Sequence, residues 1–183
     1  MKTYSLLTVP ALIAVLIIGT HARSLHAGDH ASHMMPLRGI GTLRVVLAAG
    51  TIDCLAPDGT VVATFPAELD ALARYSGLGR TIGTITADYC DFNPANGTLE
   101  VAGVANQTAA NGDEVYAPYA GVFQPDFSFG LDVEVAGGTG RFTHACGAAY
   151  AGGRIDPVTG AGETWLDGWI STVGSGGHHD PCD

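Results

Sequence analysis

The chain of 183 residues has a single lysine, Lys2, and only eight lysines and arginines in all against 18 aspartates and glutamates. Charged residues make up 14 % of the chain, and the net charge is −10 with neutral histidines. A protein of this charge has no electrostatic basis for binding the phosphate backbone of a nucleic acid or an anionic membrane surface. We therefore expect no nucleic-acid partner and, once a signal peptide is removed, no membrane partner.

Catalytic signatures are also missing. The sequence contains no Gly-x-Ser-x-Gly and no His-Glu-x-x-His pattern, and its glycine-rich segment 136–147 fits neither the dinucleotide-binding nor the Walker spacing. His144 is the only histidine in the part of the chain that we expect to fold, and Cys146 beside it raises the idea of a Cys/His nucleophile. A disulfide on Cys146 would remove that nucleophile. We assign no catalytic residue and no cofactor, and we favour a role other than catalysis.

The N-terminal segment has the features of a secretory signal peptide. Lys2 precedes an apolar run over residues 6–19 that is short for a membrane span, and small residues offer cleavage after Ala22 or after Ala27. A retained membrane anchor is the alternative. The expected location is secreted or periplasmic. We assign residues 1–22 to the signal peptide, 23–35 to a flexible leader, 36–173 to the folded domain and 174–183 to a C-terminal tail.

One stretch of the domain alternates strictly between apolar and polar or small side chains. Residues 127–135 carry apolar side chains at every odd position, which is the pattern of a half-buried strand. Asp132 and Glu134 are then expected in solvent. The alternation stops in a glycine-rich joint, where residues 140–144 are expected to form one helical turn with Phe142 inward and Arg141 outward. The side chains expected to line the interior are Phe127, Phe129, Leu131, Val133 and Val135.

The rest of the domain indicates short strands separated by turns, which is typical of an all-β sandwich or barrel. Turn residues such as Asn96-Gly97 and Asn111-Gly112 mark the ends of predicted hairpins. Residues 67–74 contain good helix formers after Pro66, so a short helical excursion is expected there. The predicted strands cover residues 41–55, 60–65, 80–89, 98–106, 114–123, 127–135, a segment from 145 onward, and 163–172.

Several segments resemble a known family. GGTGRF at residues 137–142, followed by a strand of small residues, is similar to bacterial secreted proteins with the allene oxide cyclase barrel fold, which is related to plant dirigent barrels. Segments 36–39, 76–81, 108–116 and 167–171 resemble further parts of that fold. The resemblance implies an all-β domain with a single eight-stranded antiparallel up-and-down β-barrel of the allene oxide cyclase or calycin type. It also implies one alternative function, an isomerase or cyclase acting on an apolar substrate inside the barrel.

The four cysteines favour disulfides because the chain is expected to be exported, and three pairings are possible. In an antiparallel meander, Cys54 ends the first predicted strand and Cys90 ends the third, so both lie at the same end of the barrel. Cys146 starts the seventh strand and Cys182 follows the eighth, so both lie at the opposite end. Because the Cα atoms of bonded cysteines lie within about 7 Å of each other, we predict the pairs Cys54–Cys90 and Cys146–Cys182.

The main functional expectation is an exported barrel that binds a small, largely apolar molecule or serves as a compact structural module. An eight-stranded barrel has room for its own side chains or for one small ligand. Large amphipathic side chains on the strands are the candidates for contacting that ligand, and packing between strands is the alternative use for them. These candidates are Tyr89, Tyr150, Trp165 and Trp169.

A third expectation concerns metal ions, because histidines cluster before and after the domain. Cleavage after Ala27 would leave Gly28, Asp29 and His30 as the first three residues of the mature chain. A free amine, two backbone amides and the His30 imidazole can form a square-planar nitrogen site, which suits Cu(II) or Ni(II). Cleavage after Ala22 would not create this site.

Overall fold

The computed structural model of the protein describes residues 34–46 and 50–171. Within these residues the chain forms ten β-strands and one short 3₁₀ helix, Gly140–Phe142. The strands are β1 (Met34–Val45), β2 (Thr51–Leu55), β3 (Val61–Pro66), β4 (Glu68–Tyr75), β5 (Gly79–Asn93), β6 (Thr98–Ala109), β7 (Glu114–Phe123), β8 (Ser128–Val135), β9 (Gly147–Ile155) and β10 (Ala161–Ser171).

Eight of these strands close into an antiparallel barrel in the order β1–β10–β9–β8–β7–β6–β5–β4. Strands β4 to β10 follow one another around the ring as they do along the chain, and β1 pairs with both β10 and β4 to close it. Closure satisfies the backbone groups that an open sheet would leave unpaired at its edges. The predicted eight-stranded antiparallel up-and-down barrel is confirmed.

Strands β2 and β3 form a separate two-stranded sheet outside the ring, which we call the hairpin. We had expected one strand over residues 41–55 and a barrel strand over 60–65, and both predictions are wrong. Leu43 on β1 is buried in the barrel, whereas Leu55, Val61 and Val62 are exposed. The apolar residues of β2 and β3 therefore continue the apolar pattern in sequence without belonging to the inner face of the barrel.

Residues 67–74, where we expected a helical excursion, instead contribute strand β4 of the barrel. Leu69, Ala71 and Ala73 are buried, while the alternate residues Asp70 and Arg74 are exposed. This period of two fits a strand that pairs with β1 on one side and β5 on the other. The local preference of alanine and leucine for helix is a weak one, and burial of one strand face outweighs it.

Strand β8 follows its predicted alternation, apart from its first residue. Phe129 and Val135 are buried, Leu131 and Val133 face the barrel interior, and Asp132 and Glu134 are exposed, as predicted. Phe127 was predicted to be interior, but it precedes β8 in a turn, is exposed, and has a positive φ of 63°. Phe127 lies in the turn between β7 and β8 and not in the sheet, so the alternation of inward and outward side chains does not extend to it.

The glycine-rich joint between β8 and β9 forms the predicted helical turn. Phe142 is only 1 % exposed, and the Arg141 guanidinium lies 4.6 Å from the centre of its ring. The Arg141 backbone N–H donates to Asp113 Oδ2, and Arg141 Nε lies 3.5 Å from the same oxygen. Gly140 has a positive φ of 53°, and a Cβ atom there would also meet the Asp113 carboxylate, so this position favours glycine.

The predicted disulfide Cys54–Cys90 is present, with 5.6 Å between the two Cα atoms. It joins β2 of the hairpin to β5 of the barrel, so the pairing was right although Cys54 does not end a barrel strand as we had argued. Cys146 is also disulfide-bonded. Its predicted partner Cys182 lies outside the described residues, and that pair stays a prediction. No helix among residues 34–46 and 50–171 is long and apolar enough to cross a membrane.

Candidate ligand-binding cavity

An apolar cluster closes the barrel at the end where the 3₁₀ helix lies, which we call the helix end. It forms because β1, β7, β8 and β10 place alternate side chains inward there, and Phe142 fills the centre from the 3₁₀ helix. Besides Phe142, its buried members with large side chains are Leu37, Leu78, Val115, Val135 and Ile170.

A second apolar cluster lies at the opposite end of the barrel, which we call the hairpin end. The barrel itself supplies Phe123 and Phe129, whose ring centres are 5.1 Å apart. The hairpin adds Phe65, whose ring meets that of Phe123 edge-on. The remaining buried members with large side chains are Leu43, Leu69, Val101, Tyr119 and Ile155.

A cavity of about 100 Å³ lies between the two clusters. None of its described lining residues is an aspartate, glutamate, lysine, arginine or histidine. Small side chains on the inner face leave the space open, since larger ones at the same positions would meet in the barrel centre. These small lining residues are Ala71, Ala73, Ala105, Ala117 and Ala151.

One polar pair lies in this apolar setting. Gln107 on β6 lines the cavity and is only 7 % exposed, and Thr81 on β5 is 1 % exposed. The Thr81 hydroxyl donates to Gln107 Oε1 over 2.9 Å. This bond occupies the amide oxygen and leaves the Gln107 amide N–H groups without an acceptor among the described residues.

Two tyrosines also contribute to the cavity wall. Burial raises the pKa of the Tyr75 hydroxyl above its usual range. Burial, and secondarily the charge of Asp88, raises the pKa of Tyr119, whose hydroxyl donates to the backbone oxygen of Thr86 over 2.8 Å. Both phenols are therefore neutral near pH 7.

The described lining residues of the cavity include two tyrosines but no histidine and no carboxylate. Glu100, Glu134 and Glu163 lie on strands but are exposed, and Glu114 accepts a hydrogen bond from the exposed Tyr116 hydroxyl over 2.8 Å.

The four aromatic residues that we had expected around a ligand lie on the outer face of the barrel. Tyr89, Tyr150, Trp165 and Trp169 are 42 to 49 % exposed, and none of them lines the interior cavity. On β10 the even-numbered residues face inward, so both tryptophans point outward. Whether these residues bind a ligand on the outer face stays a prediction.

Two of these aromatic side chains lie against glycines of a neighbouring strand. A Cβ on Gly152 would lie 2.5 Å from the Trp165 ring, and one on Gly130 would collide with the Tyr150 hydroxyl. The centres of the Tyr150 and Trp165 rings are 5.7 Å apart. They form part of an open groove on the outer face, which is separate from the cavity.

The metal site predicted at Gly28, Asp29 and His30 lies outside the described residues and stays a prediction. Among residues 34–46 and 50–171, no three histidine, cysteine or acidic side chains are grouped in a way that could hold a metal ion. The Cys146 sulfur is disulfide-bonded and so is not the thiolate that a Cys/His nucleophile needs.

Sequence reasoning missed the polar pair and the hairpin phenylalanine. Gln107 stands between Ala105 and Ala109 at inward positions of an alternating strand, so a polar residue on an apolar face was the available signal. Reading that signal requires knowing which face of β6 points inward. Phe65 carried no such signal, because the hairpin could not be told from a barrel strand.

Among known proteins, similarity to this chain is found in solved structures. No protein-family model and no curated protein sequence matches the chain. Similar solved structures include the pterocarpan synthase dirigent protein PsPTS1, with a TM-score of 0.46, 15 % identity, and coverage of 78 % of this chain and 97 % of that chain. Another is the pterocarpan synthase dirigent protein GePTS1, with a TM-score of 0.44, 14 % identity, and coverage of 78 % and 93 %. These are likenesses of fold alone.

Proposed function

We propose that the protein, after export, binds a small, largely apolar molecule inside its β-barrel. The observation that supports this proposal is the cavity of about 100 Å³, whose described lining residues are uncharged and mostly apolar. Moving an apolar molecule from water into such a cavity removes apolar surface from water, which is favourable. Because the cavity is already formed, little reorganisation opposes binding.

The volume of the cavity limits the ligand. An engineered apolar cavity of about 150 Å³ in another protein stays dry and binds benzene or xenon. The present cavity is somewhat smaller, so it suits a molecule of about the size of one small ring. A longer molecule would require side chains at one end of the barrel to move.

Two further observations bear on the alternatives. The described lining residues include no carboxylate and no histidine, so an isomerase or cyclase acting in this cavity would have only the phenols of Tyr75 and Tyr119 as acid–base groups. The Cys54–Cys90 disulfide fits an oxidising compartment and so supports a secreted or periplasmic location. The metal-handling alternative depends on the N-terminus of the mature chain, which mass spectrometry of the exported protein identifies.

The test uses benzene and xenon with two matched variants on β9. Ala151 lines the cavity, whereas Ala148 on the same strand is exposed on the outer face. Benzene should raise the melting temperature of the wild-type protein and of Ala148→Leu, because a ligand that binds only the folded state stabilises it. Ala151→Leu should lose this response, since its side chain fills the cavity.

Two results would contradict the proposed binding of an apolar molecule in the cavity. Wild-type protein with neither a benzene response nor xenon-induced NMR shifts at inward side chains would refute the proposal. A full response in Ala151→Leu would also refute it, because benzene would then bind elsewhere, for instance on the outer aromatic groove.

A further inference from the structure

We propose that the ligand of the cavity carries a neutral oxygen that accepts hydrogen bonds, such as a carbonyl or ether oxygen, and that Gln107 binds this oxygen. Thr81 acts as the positioning residue, since it orients the Gln107 amide. This inference rests on the proposed function, because it concerns the chemistry of the molecule bound in the same cavity.

The Thr81–Gln107 pair is buried inside the barrel. Gln107 is 7 % exposed and Thr81 is 1 % exposed, yet both are polar side chains on the inner face of an apolar barrel. Buried polar groups in proteins are nearly always hydrogen-bonded, and each exception requires an explanation. Packing alone gives none, since leucine or methionine would fill the position of Gln107 without desolvating an amide.

The hydrogen bond from Thr81 orients the Gln107 amide. The Thr81 hydroxyl donates to Gln107 Oε1 over 2.9 Å, which occupies the oxygen and holds the side chain against β5. The amide nitrogen Nε2 carries two N–H donors. Among the described residues no acceptor engages Nε2, although Gln107 itself lines the cavity. The geometry thus presents fixed donors toward the space that the ligand would occupy.

The described residues of the cavity wall carry no charge that could pair with a charged ligand. The cavity has no lysine, arginine or histidine among its described lining residues, so a carboxylate or phosphate group would lose its hydration without gaining a counter-ion. An amide donor alone repays the burial of a neutral carbonyl oxygen but not that of an anion. A hydrogen-bond donor such as an ammonium group would face the N–H groups of Gln107 and be repelled. The ligand class that remains is an apolar, uncharged molecule with an acceptor oxygen.

The experiment compares two molecules of the same shape, cyclopentanone and methylenecyclopentane, which differ only in C=O against C=CH₂. NMR titration gives the dissociation constant of each for the wild-type protein and for Gln107→Met. Replacing Gln107 should weaken cyclopentanone binding by about fivefold, the usual worth of one neutral hydrogen bond. The same variant should bind methylenecyclopentane at least as well as the wild-type protein does.

Two variants of Thr81 test its role in positioning the Gln107 amide. Thr81→Val removes the hydroxyl at nearly constant shape. It should reduce the difference in affinity between cyclopentanone and methylenecyclopentane, because the Gln107 amide is no longer held. Thr81→Ser keeps the hydroxyl and should retain that difference in affinity. If Thr81 served packing alone, the valine and serine variants would not differ in their affinity for cyclopentanone while binding methylenecyclopentane equally.

A measurement on the unmutated protein avoids any question of folding. The chain has two glutamines, and Gln124 is exposed in a surface turn, so selective ¹⁵N labelling gives one reporter and one internal reference. Cyclopentanone should shift the side-chain amide protons of Gln107 and not those of Gln124, and methylenecyclopentane should shift the Gln107 amide much less.

The outcomes distinguish the two proposals. If methylenecyclopentane binds in the cavity but the Gln107 amide and the Gln107→Met variant do not discriminate the carbonyl, this inference is wrong and the proposed function stands. If neither molecule binds any form of the protein, both are wrong.

Discussion

The ring of Phe65 on β3 meets the ring of Phe123 on β7 edge-on, with 4.8 Å between the ring centres and 70° between the planes. Phe65 belongs to the hairpin, outside the barrel, whereas Phe123 belongs to the barrel wall. Phe65 also lines the cavity. A side chain from outside the ring therefore forms part of the boundary of the interior space at the hairpin end.

Phe65 should set the largest ligand that the cavity admits. Phe65→Ala removes a ring from the hairpin end and should cost about 3 kcal/mol of unfolding free energy, at the low end for phenylalanine because Phe65 is only partly buried. The enlarged space should then accept naphthalene, which the wild-type protein should not bind. Calorimetry or NMR titration with naphthalene measures the difference.

Val62→Ala is the matched control for this prediction, because Val62 lies on the same strand but is exposed. It should change neither the stability nor the size limit. Equal naphthalene binding by wild-type protein and Phe65→Ala would show that the hairpin does not limit the cavity.

The Cys54–Cys90 disulfide should hold the hairpin against the barrel. Removing it in the double variant Cys54→Ala, Cys90→Ala should cost about 4 kcal/mol, the chain-entropy value for a loop of this length, given a sequence separation of 36 residues. Urea denaturation measures the total, and amide hydrogen exchange measures its location. Amides of β2 and β3 should lose much more protection than those of β6 to β10.

Substitution by alanine is preferable to a reducing agent here, since Cys146 is disulfide-bonded as well and would also be reduced. Hairpin amides that keep their protection in the double variant would mean that the hairpin is held by packing, with Phe65 the main contact.

The inward face of β8 should not tolerate charge. Leu131 lines the cavity, while its neighbour Asp132 is exposed on the opposite face. Leu131→Asp should destabilise the fold by about 3 kcal/mol, because an unpaired carboxylate must be buried or protonated. Asp132→Ala should stay within about 0.5 kcal/mol of the wild-type value. Thermal denaturation of the two variants side by side checks the assignment of faces, which fails if Leu131→Asp melts like the wild-type protein.

Sequence reasoning succeeded where alternation was strict and failed where local preference misled. The β8 pattern from Phe129 to Val135 was readable because a strand with one buried face has a period of two. In β4 the residues Leu69, Ala71 and Ala73 have the same period, but alanine and leucine are also good helix formers. The count of eight barrel strands was right because two errors offset each other, since residues 60–65 were included and residues 67–74 were left out.

The candidate site was less accessible to sequence reasoning than the fold. Large aromatic side chains were expected inside, yet Trp165 and Trp169 lie outside because the inner face of β10 consists of its even-numbered residues. The inner face of a small barrel has little room, so the aromatic side chains of β9 and β10 face outward, while glycine, alanine, threonine, leucine and isoleucine face inward. Gln107 could be identified as a cavity residue only once the register of β6 was known.

The turn aspartates should give the protein a stability that falls in acid. The Ser128 hydroxyl, and next its backbone N–H, donate to Asp126 over 2.6 and 3.1 Å and hold the pKa of that carboxyl below its usual range. The pKa of Asp156 is lowered in the same way, chiefly by the Val158 N–H. A carboxyl with a lowered folded-state pKa contributes stability above its unfolded pKa of about 4. That contribution is lost as the pH falls through the folded value.

Ser128→Ala tests this account at one turn. It removes the first and largest of the two Asp126 hydrogen bonds, so the pKa of Asp126 should rise toward its ordinary value, as followed by carboxyl ¹³C shifts from pH 6 to pH 2. Asp156 serves as the internal reference, because its turn lies between β9 and β10 and makes no use of Ser128. The stability of the variant should then decline less steeply than that of the wild-type protein as the pH falls below about 4, since less of the Asp126 contribution remains to be lost. An unchanged Asp126 titration would mean that the backbone N–H of Ser128, and not its hydroxyl, lowers the pKa.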